Sequence, residues 1–223
     1  MLPESLYESS HMIEVAVIDY GVGNLLSVSR ALQRCGARAI VTADPATILA
    51  ADRVILPGVG AFANGMAAIR DRGLDVVVRQ VAAAGTPLLG ICLGMQMLAT
   101  SSIEFGEHEG LNLIAGRVLP LSNRSIEGHV LKIPNIGWNS LTPSTDNGWA
   151  GSPLDGLIEG DSVYLVHSYH VVLDRPADLL AHYDHGGHAV TAAIRRGLVF
   201  GCQFHPEKSG EVGLRILRGF ISR

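Results

Sequence analysis

A cysteine flanked by glycines lies directly after an apolar run and before a segment of helix-forming residues. The run covers residues 87–91 and continues as Gly90-Ile-Cys92-Leu-Gly94-Met-Gln96. Glycines at these two places permit a tight, strained turn from strand to helix that lifts the thiol out of the sheet. The positive end of the helix dipole then favours thiolate over thiol at Cys92. The pattern predicts a nucleophile, with a buried structural cysteine as the alternative.

A histidine and a glutamate near the C-terminus can supply a base and the group that orients it. They lie two residues apart in Phe204-His205-Pro206-Glu207. An imidazole transfers a proton efficiently only when its tautomer and ring plane are fixed, and Glu207 can accept a hydrogen bond from the ring. A surface turn is the alternative for this segment. Combined with the cysteine turn, it predicts a catalytic triad of Cys92, His205 and Glu207.

These two motifs together resemble those of the class I, triad-type glutamine amidotransferases. Three further segments resemble one subfamily, the glutaminase subunits of imidazole glycerol phosphate synthase: Asp19-Tyr-Gly-Val-Gly-Asn24, Pro57-Gly-Val-Gly60 and Gly137-Trp-Asn139. The resemblance runs from about residue 13 to the C-terminus. It implies hydrolysis of glutamine to glutamate and ammonia. The implied fold is a flavodoxin-like α/β fold, in which helices flank a central, mostly parallel sheet and the C-terminal half adds antiparallel strands.

The resemblance also implies roles for residues around Cys92. The backbone N–H groups of Val59 and Leu93 are expected to form the oxyanion hole, although the segment around Val59 alone would also fit an ordinary turn. A glycine-flanked peptide can flip, so this hole need not be formed at rest. Gln96 lies one helical turn beyond Cys92, and Glu104 suits the α-ammonium group of a substrate. The residues implied to hold glutamine are Gly58, Gly60, Gln96, Glu104, His167, Ser168 and Tyr169.

Ammonia released into water is protonated and lost, so this chemistry needs an acceptor at the end of a water-excluded path. The resemblance implies that the acceptor is bound by a separate (β/α)8-barrel cyclase subunit, which forms a heterodimer with this chain. That subunit makes imidazole glycerol phosphate and aminoimidazole carboxamide ribotide in histidine biosynthesis. Asn24 and Trp138 are candidate interface residues, and a core position is the alternative for the tryptophan.

Two residues depart from the pattern of the family. Asn135 stands where a histidine is expected, and His170 stands where an aromatic residue is usual. Neither belongs to the triad. They leave the local substrate contacts and the partner surface open.

No cofactor or metal ion is predicted. The loop Asp19–Asn24 resembles a dinucleotide-binding turn, but Leu26 occupies the place of its third glycine,. This loop is expected to contact a partner or to brace the adjoining oxyanion loop. The segment from His182 to His188 has metal-binding residue types, but its Asp-His-Gly-Gly sequence is typical of a hairpin tip.

Three alternative functions remain open from the sequence. The chain could be the glutaminase subunit of another synthase, such as an anthranilate-type enzyme. It could instead be a cysteine hydrolase that acts on amides or peptides without ammonia transfer. A non-catalytic interaction subunit is the third alternative, and its thiol would not react selectively with a glutamine-like electrophile.

Composition sets broader limits. With 223 residues, 48% of them hydrophobic, the chain is expected to form one domain over residues 13–223,. Residues 1–12 are expected to be a flexible extension or a cloning remnant. The net charge of −4 and scattered Lys and Arg residues argue against nucleic acid or an anionic membrane as partner,. Three cysteines form no disulfide framework, which favours the reducing cytoplasm,.

The elements that position the triad follow from the alternation of short apolar runs with helical patterns. Strands are predicted at 13–18, 38–42, 53–56, 87–91, 117–121, 130–133, 163–167, 179–183, 190–194 and 198–204. Helices are predicted at 25–35, 65–84 and 209–221. Cys92 therefore follows a central strand, and His205 follows the last one.

Overall fold

The structure is a computed structural model that describes residues 12–144 and 148–223. The strands are β1 Glu14–Ile18, β2 Arg38–Thr42, β3 Arg53–Leu56, β4 Leu88–Ile91, β5 Ser101–Ser102, β6 His108–Glu109, β7 Gly116–Pro120, β8 Asn135–Ser140, β9 Thr142–Pro143, β10 Ser162–His167, β11 Tyr169–Leu173, β12 Leu179–His185, β13 His188–Arg196 and β14 Val199–Cys202. The α-helices are α1 Leu25–Arg34, α2 Pro45–Ala50, α3 Phe62–Asp71, α4 Leu74–Ala83, α5 Leu93–Met97 and α6 Gly210–Ile221. The predicted extension lies, except for Met12, outside the described residues.

An eight-stranded sheet runs through the centre of the structure in the order β2-β1-β3-β4-β14-β13-β12-β9. The strands from β2 to β14 are parallel, and those from β14 to β9 are antiparallel. Parallel neighbours need long crossover connections, which the helices supply, whereas β12 and β13 are joined by a short hairpin. This arrangement confirms the predicted fold class.

The parallel strands are covered on both faces. Every residue of β4 is buried, and the apolar residues on the two sides of the sheet belong to two separate core clusters. One cluster includes Leu32 of α1 and Phe220 of α6, and the other includes Ile69 of α3 and Val78 of α4. Strands buried on both faces are continuous apolar runs, which explains why the sequence revealed them.

Two smaller sheets carry many of the residues between the turn at Cys92 and the last strands of the central sheet. One pairs β10 with β8, and the other has the order β11-β7-β5-β6. They meet at Ser168, because β10 ends at His167 and β11 begins at Tyr169. The predicted segment His167-Ser-Tyr169 thus lies at the junction of the two sheets.

Several predicted elements were wrong. The helix predicted at 65–84 is two helices, because Gly73 takes a left-handed φ of 66° between α3 and α4,. Residues 130–133 form no strand; Val130 makes only an isolated bridge with Arg124 and is 78% exposed. The sequence also missed α2, which begins at a proline with an Asp44 cap, and the strands β8 and β11,.

The hairpin predicted near His182 is confirmed. β12 and β13 pair through a tip at which Gly186 and Gly187 have φ values of 60° and 88°. Two consecutive positive φ angles match the tight turn that antiparallel strands favour.

In the part of the chain that the structure describes, no helix is long and apolar enough to cross a membrane. A single domain over 13–223 stays a prediction.

Candidate active site

Cys92 lies at a strained turn between β4 and α5. Its φ of 55° and ψ of −110° fall outside the regions that non-glycine residues favour,. Its backbone N–H donates to the carbonyl of Cys202 at 2.8 Å, and its carbonyl accepts the N–H of Gln96 at 3.1 Å. These bonds tie the turn to β14 on one side and to the helix on the other. The thiol is therefore held in a fixed place, with the residue 8% exposed.

The flanking glycines allow neighbouring backbones to meet at this turn. A side chain at Gly94 would overlap the carbonyl oxygen of Leu56 at the end of β3. A side chain at Gly90 would come within 2.7 Å of the carbonyl oxygen of Gly94. Both positions need glycine because space is missing, whereas Cys92 itself bears the strained conformation.

We expect Gly94→Ala to lower the free energy of unfolding by about 3 kcal/mol and the melting temperature by about 10 °C. The added methyl group can fit only if β3 and α5 move apart. Gly156→Ala is the matched control, because its added carbon would have no heavy atom within 4 Å. Equal melting temperatures for the two variants would contradict this account of the turn.

His205 and Glu207 form a buried pair beside this turn. His205 Nδ1 lies 2.8 Å from Glu207 Oε1, and the two side chains are 3% and 1% exposed. Because a carboxylate accepts, Nδ1 carries the proton of this bond, which leaves Nε2 for the Cys92 thiol. The His205 backbone N–H donates to the carbonyl of Tyr164 at 3.0 Å. Asn24 Nδ2 donates to Glu207 Oε1 at 3.4 Å.

The surroundings of His205 favour its charged form. Burial acts to lower its pKa, but hydrogen bonds and charge interactions with Cys92 and Glu207 outweigh burial and raise the pKa to about 9,. A histidine with this pKa is protonated at neutral pH. It can stabilise a thiolate and then donate a proton to a leaving group.

The thiol faces a cleft of about 310 Å³. Most of the residues that the sequence assigned to the site line this cleft. They are Val59, Gly60, Cys92, Leu93, Gln96, Glu104, His167, Ser168, Tyr169 and His205. Glu207 lies behind His205 and reaches the cleft only through it. Gly58 is buried, and a side chain there would come within 2.9 Å of the Gly94 nitrogen.

The loop after β3 brings a second backbone segment to the cleft. Val59 is 41% exposed there and lines the same cleft as Leu93, the N-terminal residue of α5. The first N–H groups of a helix have no partner within the helix. The Tyr20 hydroxyl donates to the Pro57 carbonyl at 2.7 Å, and Tyr20 is fully buried. The 19–24 loop therefore braces the loop that carries Val59, as one of its two predicted roles required.

The polar side chains of the cleft are held by identifiable partners. Gln96 Nε2 donates to the Tyr169 carbonyl and to Gln203 Oε1, both at 3.0 Å. Glu104 Oε2 accepts the backbone N–H of Phe62, at the start of α3, at 2.6 Å. This bond joins the α3 terminus to the cleft, and a carboxylate is favoured at a helix N-terminus.

His167 is neutral and fully bonded. Its Nδ1 lies 2.9 Å from the Tyr169 carbonyl, and its Nε2 lies 2.9 Å from the Tyr183 hydroxyl. Burial lowers the pKa of His167 to about 4, so Nδ1 donates and Nε2 accepts. Asn135 Nδ2 donates to the Tyr183 hydroxyl at 3.2 Å. The unusual Asn135 thus reaches the cleft through Tyr183 and His167, while His170 lies outside the cleft lining.

Sequence reasoning missed Gln203 and Tyr183. Gln203 is fully buried, and its Nε2 lies 3.7 Å from Cys92 Sγ. Its only sequence signal is its place two residues before His205, at the end of an apolar run. Tyr183 gave no signal, because its partner His167 lies 16 residues away on another sheet.

Trp138 is exposed, which rules out the core alternative. Trp138 lies on β8 and is 57% exposed. Its ring packs edge-on against that of Tyr164, with 6.0 Å between the two ring centroids. The Tyr164 carbonyl in turn accepts the His205 N–H. Asn24, the other interface candidate, is half-buried beside Glu207.

Among the described residues, no group of three or more His, Cys, Asp or Glu side chains is placed to hold a metal ion.

Comparison with known proteins identifies relatives over nearly the whole chain. The model of the family "Glutamine amidotransferase class-I" matches residues 16–222. The imidazole glycerol phosphate synthase subunit HisH 1 of Legionella pneumophila (strain Paris) is 47% identical over 212 residues, which cover 94% of this chain and 99% of that protein. The subunit HisH of Streptococcus sanguinis is 48% identical over 205 residues, covering 92% and 93%.

Solved structures agree on the fold. PurLQS from Thermotoga maritima overlaps with a TM-score of 0.71 at 20% identity and covers 95% of this chain and 98% of that chain. A glutamine amidotransferase structure overlaps with a TM-score of 0.66 at 21% identity, covering 94% and 99%. The chain belongs to the class-I glutamine amidotransferase family, among the relatives named imidazole glycerol phosphate synthase subunit HisH.

Proposed function

We propose that this chain is the glutaminase subunit of an imidazole glycerol phosphate synthase. In this proposal it hydrolyses glutamine through a Cys92 thioester and passes ammonia to a (β/α)8-barrel cyclase subunit. The observation that carries the proposal is the bond of 2.8 Å between His205 and Glu207, beside a strained cysteine that faces the cleft. The names of relatives about 47% identical support the choice of synthase.

The first half of the reaction forms the thioester. The Cys92 thiolate attacks the side-chain amide carbon of glutamine, and the C–N bond breaks after a tetrahedral intermediate. Two backbone N–H groups, those of Val59 and Leu93, hold the oxyanion of that intermediate. Protonated His205 gives its proton to the departing nitrogen, and ammonia leaves. Glu207 stabilises the imidazolium before this transfer.

The second half releases glutamate. His205 is now neutral and removes a proton from a water molecule, which attacks the thioester carbon. The C–S bond breaks, and the thiolate and imidazolium form again. Around the substrate, Gln96 and Glu104 are proposed to bind the amino-acid end, with Gly58, Gly60, His167, Ser168 and Tyr169 completing the site. Glu104 suits the α-ammonium group because it is a carboxylate 9% exposed.

The direct experiment is ammonia release from glutamine by the isolated chain, repeated with the barrel cyclase and its substrate analogue. We expect slow release alone and faster release in the complex, because ammonia made without an acceptor is wasted. Stimulation by an anthranilate-type synthase instead would favour the alternative synthase. Equal hydrolysis of unrelated amides would favour a general cysteine hydrolase. No release in any mixture would leave the non-catalytic alternative.

Trp138 is the proposed anchor for the cyclase. We expect Trp138→Ala to weaken cyclase binding by about 30-fold, the scale of an interface hot spot, without changing the reaction of Cys92 with iodoacetamide. Titration of glutaminase turnover against cyclase concentration measures the effect.

Val76→Ala is the control for Trp138→Ala. Val76 is 53% exposed on α4. The buried residues of α4 belong to one core cluster, whereas Val163 and Leu165 of β10, the strand paired with β8, belong to the cluster on the other side of the sheet. Unchanged cyclase binding by Trp138→Ala would remove the tryptophan from the interface.

The absence of a disulfide pattern among three cysteines supports a cytoplasmic location for the complex,.

A further inference from the structure

Gln203 joins the thiol to the substrate side of the cleft, and the mechanism above gives it no role. Its residue is fully buried, directly after β14. The backbone N–H donates to the Ala192 carbonyl at 2.8 Å, which fixes the start of the side chain. The side-chain Nε2 lies 3.7 Å from Cys92 Sγ, and Oε1 accepts from Gln96 Nε2 at 3.0 Å. The amide therefore has one end on the thiol and the other on Gln96.

A backbone carbonyl sets the direction of this chain of hydrogen bonds. The Tyr169 carbonyl can only accept, so the NH₂ end of Gln96 must face it,. The second hydrogen of that NH₂ group goes to Gln203, which must therefore present its oxygen to Gln96. The NH₂ end of Gln203 is left for Cys92. Reversing Gln96 would place its oxygen against the Tyr169 carbonyl, and reversing Gln203 would place two NH₂ groups against each other, so the hydrogen bonds themselves fix both orientations,.

A donor directed at sulfur favours the thiolate. An N–H group stabilises negative charge on an acceptor and gives little to a neutral thiol. His205 supplies one such donor through Nε2, and Gln203 supplies a second from β14. We propose that Gln203 is a further catalytic residue, a second N–H donor to the Cys92 thiolate that the Tyr169 carbonyl orients through Gln96. This inference rests on the proposed function, because it takes Cys92 as the nucleophile.

The same chain limits what Gln96 can offer a substrate. Both hydrogens of its amide are used by Tyr169 and Gln203. Its oxygen is the remaining polar atom, and an oxygen accepts hydrogen bonds from ammonium or amide groups. A substrate that bonds to Gln96 is then connected to the thiolate through Gln203.

The test is the rate at which iodoacetamide alkylates Cys92, measured against pH in the full chain by mass spectrometry. Gln203→Met keeps a side chain of similar length but has no N–H donor. We expect the rising limb of the alkylation profile to move to higher pH, so that alkylation on that limb slows by about 10-fold, the worth of one hydrogen bond to a charged group. At high pH, where the thiol ionises in both proteins, the two rates should converge. Glutamine turnover at saturation should fall by a similar factor.

Thr191→Val is the matched control. Thr191 is a buried polar residue on β13, next to Ala192, whose carbonyl holds the Gln203 backbone. This variant should follow the wild-type pH profile, because it removes a buried hydroxyl without touching the donor to sulfur. A Gln203→Met profile that matches wild type, or a rate lowered equally at every pH, would overturn the proposal and leave Gln203 with a structural role only.

A second measurement uses the unsubstituted protein and so does not depend on the folding of a variant. The side-chain amide NMR signal of Gln203 should shift with pH, with the same midpoint as Cys92 alkylation. The amide of Asn112, whose Oδ1 accepts from Thr100 Oγ1, should not follow that midpoint. A Gln203 signal that does not shift overturns the inference alone. Wild-type Cys92 that reacts no faster than Cys35 removes the nucleophile, and with it the proposed function as well.

Discussion

Cys92→Ser should lower glutamine hydrolysis by roughly 10⁴- to 10⁶-fold, the scale for loss of a triad nucleophile. An alkoxide is far harder to form at this site than a thiolate, although the serine fits the same turn. The positions of His205 and Gln203 should not change, so the defect lies in the chemistry and not in the fold. An assay of ammonia release from glutamine, with a detection limit well below wild-type turnover, measures the loss of hydrolysis.

The control for this variant is synthesis by the cyclase from added ammonium salt. That reaction bypasses the thioester, and we expect it to continue in a complex that contains Cys92→Ser. Loss of the ammonium-dependent reaction would mean that the substitution disturbs the complex. Retained hydrolysis of glutamine would remove Cys92 from the mechanism.

Glu207→Gln should lower turnover by roughly 10³- to 10⁴-fold, on the scale of an amide replacing a triad carboxylate. The buried Glu207 carboxylate fixes the His205 tautomer and stabilises the imidazolium. A neutral amide carries no charge to stabilise the imidazolium. It also fails to fix the tautomer, since it can present its NH₂ group to the ring. The effect is smaller than for Cys92, because the ring and the thiol remain in place.

The pH profile separates this role from a loss of folding. The pKa of His205 is about 9, and Glu207 helps to raise it. Activity that needs protonated His205 therefore falls as pH rises through about 9 in the wild type. Removing the carboxylate lowers that pKa, so the alkaline limb of kcat/KM should move to lower pH. Glu211→Gln, an exposed change of the same charge on α6, should keep the wild-type profile. An unmoved limb in Glu207→Gln would reduce the triad to a dyad.

The triad could be predicted because its parts are local in sequence. Gly90 and Gly94 encode the turn at Cys92 by their spacing, and His205 and Glu207 lie two residues apart. Gln203 was not predicted, because it meets Cys92 across 111 residues and Gln96 across 107. No periodicity or short motif reports a contact between the end of one strand and the helix after another.

Errors in the elements have similar causes. The apolar pattern continues across Gly73, so periodicity alone joins α3 and α4, whereas the left-handed glycine separates them. Residues 130–133 have the composition of a strand but no continuous partner, since a strand needs a neighbour that the pattern does not identify,. β8 was missed because it has only two large apolar residues, Ile136 and Trp138, with a glycine between them, and this alternation is too short to indicate a strand,.

The pairing of β4 with β14 has a consequence for folding during synthesis. Cys202 pairs with Ile91 in parallel register, so the nucleophile waits for a strand synthesised more than a hundred residues later. Chains emerge from the ribosome N-terminal end first, and each domain folds largely as a unit. A nascent chain that has already made Cys92 still lacks its general acid. It cannot assemble the triad until the segment that carries His205 and Glu207 has also been made.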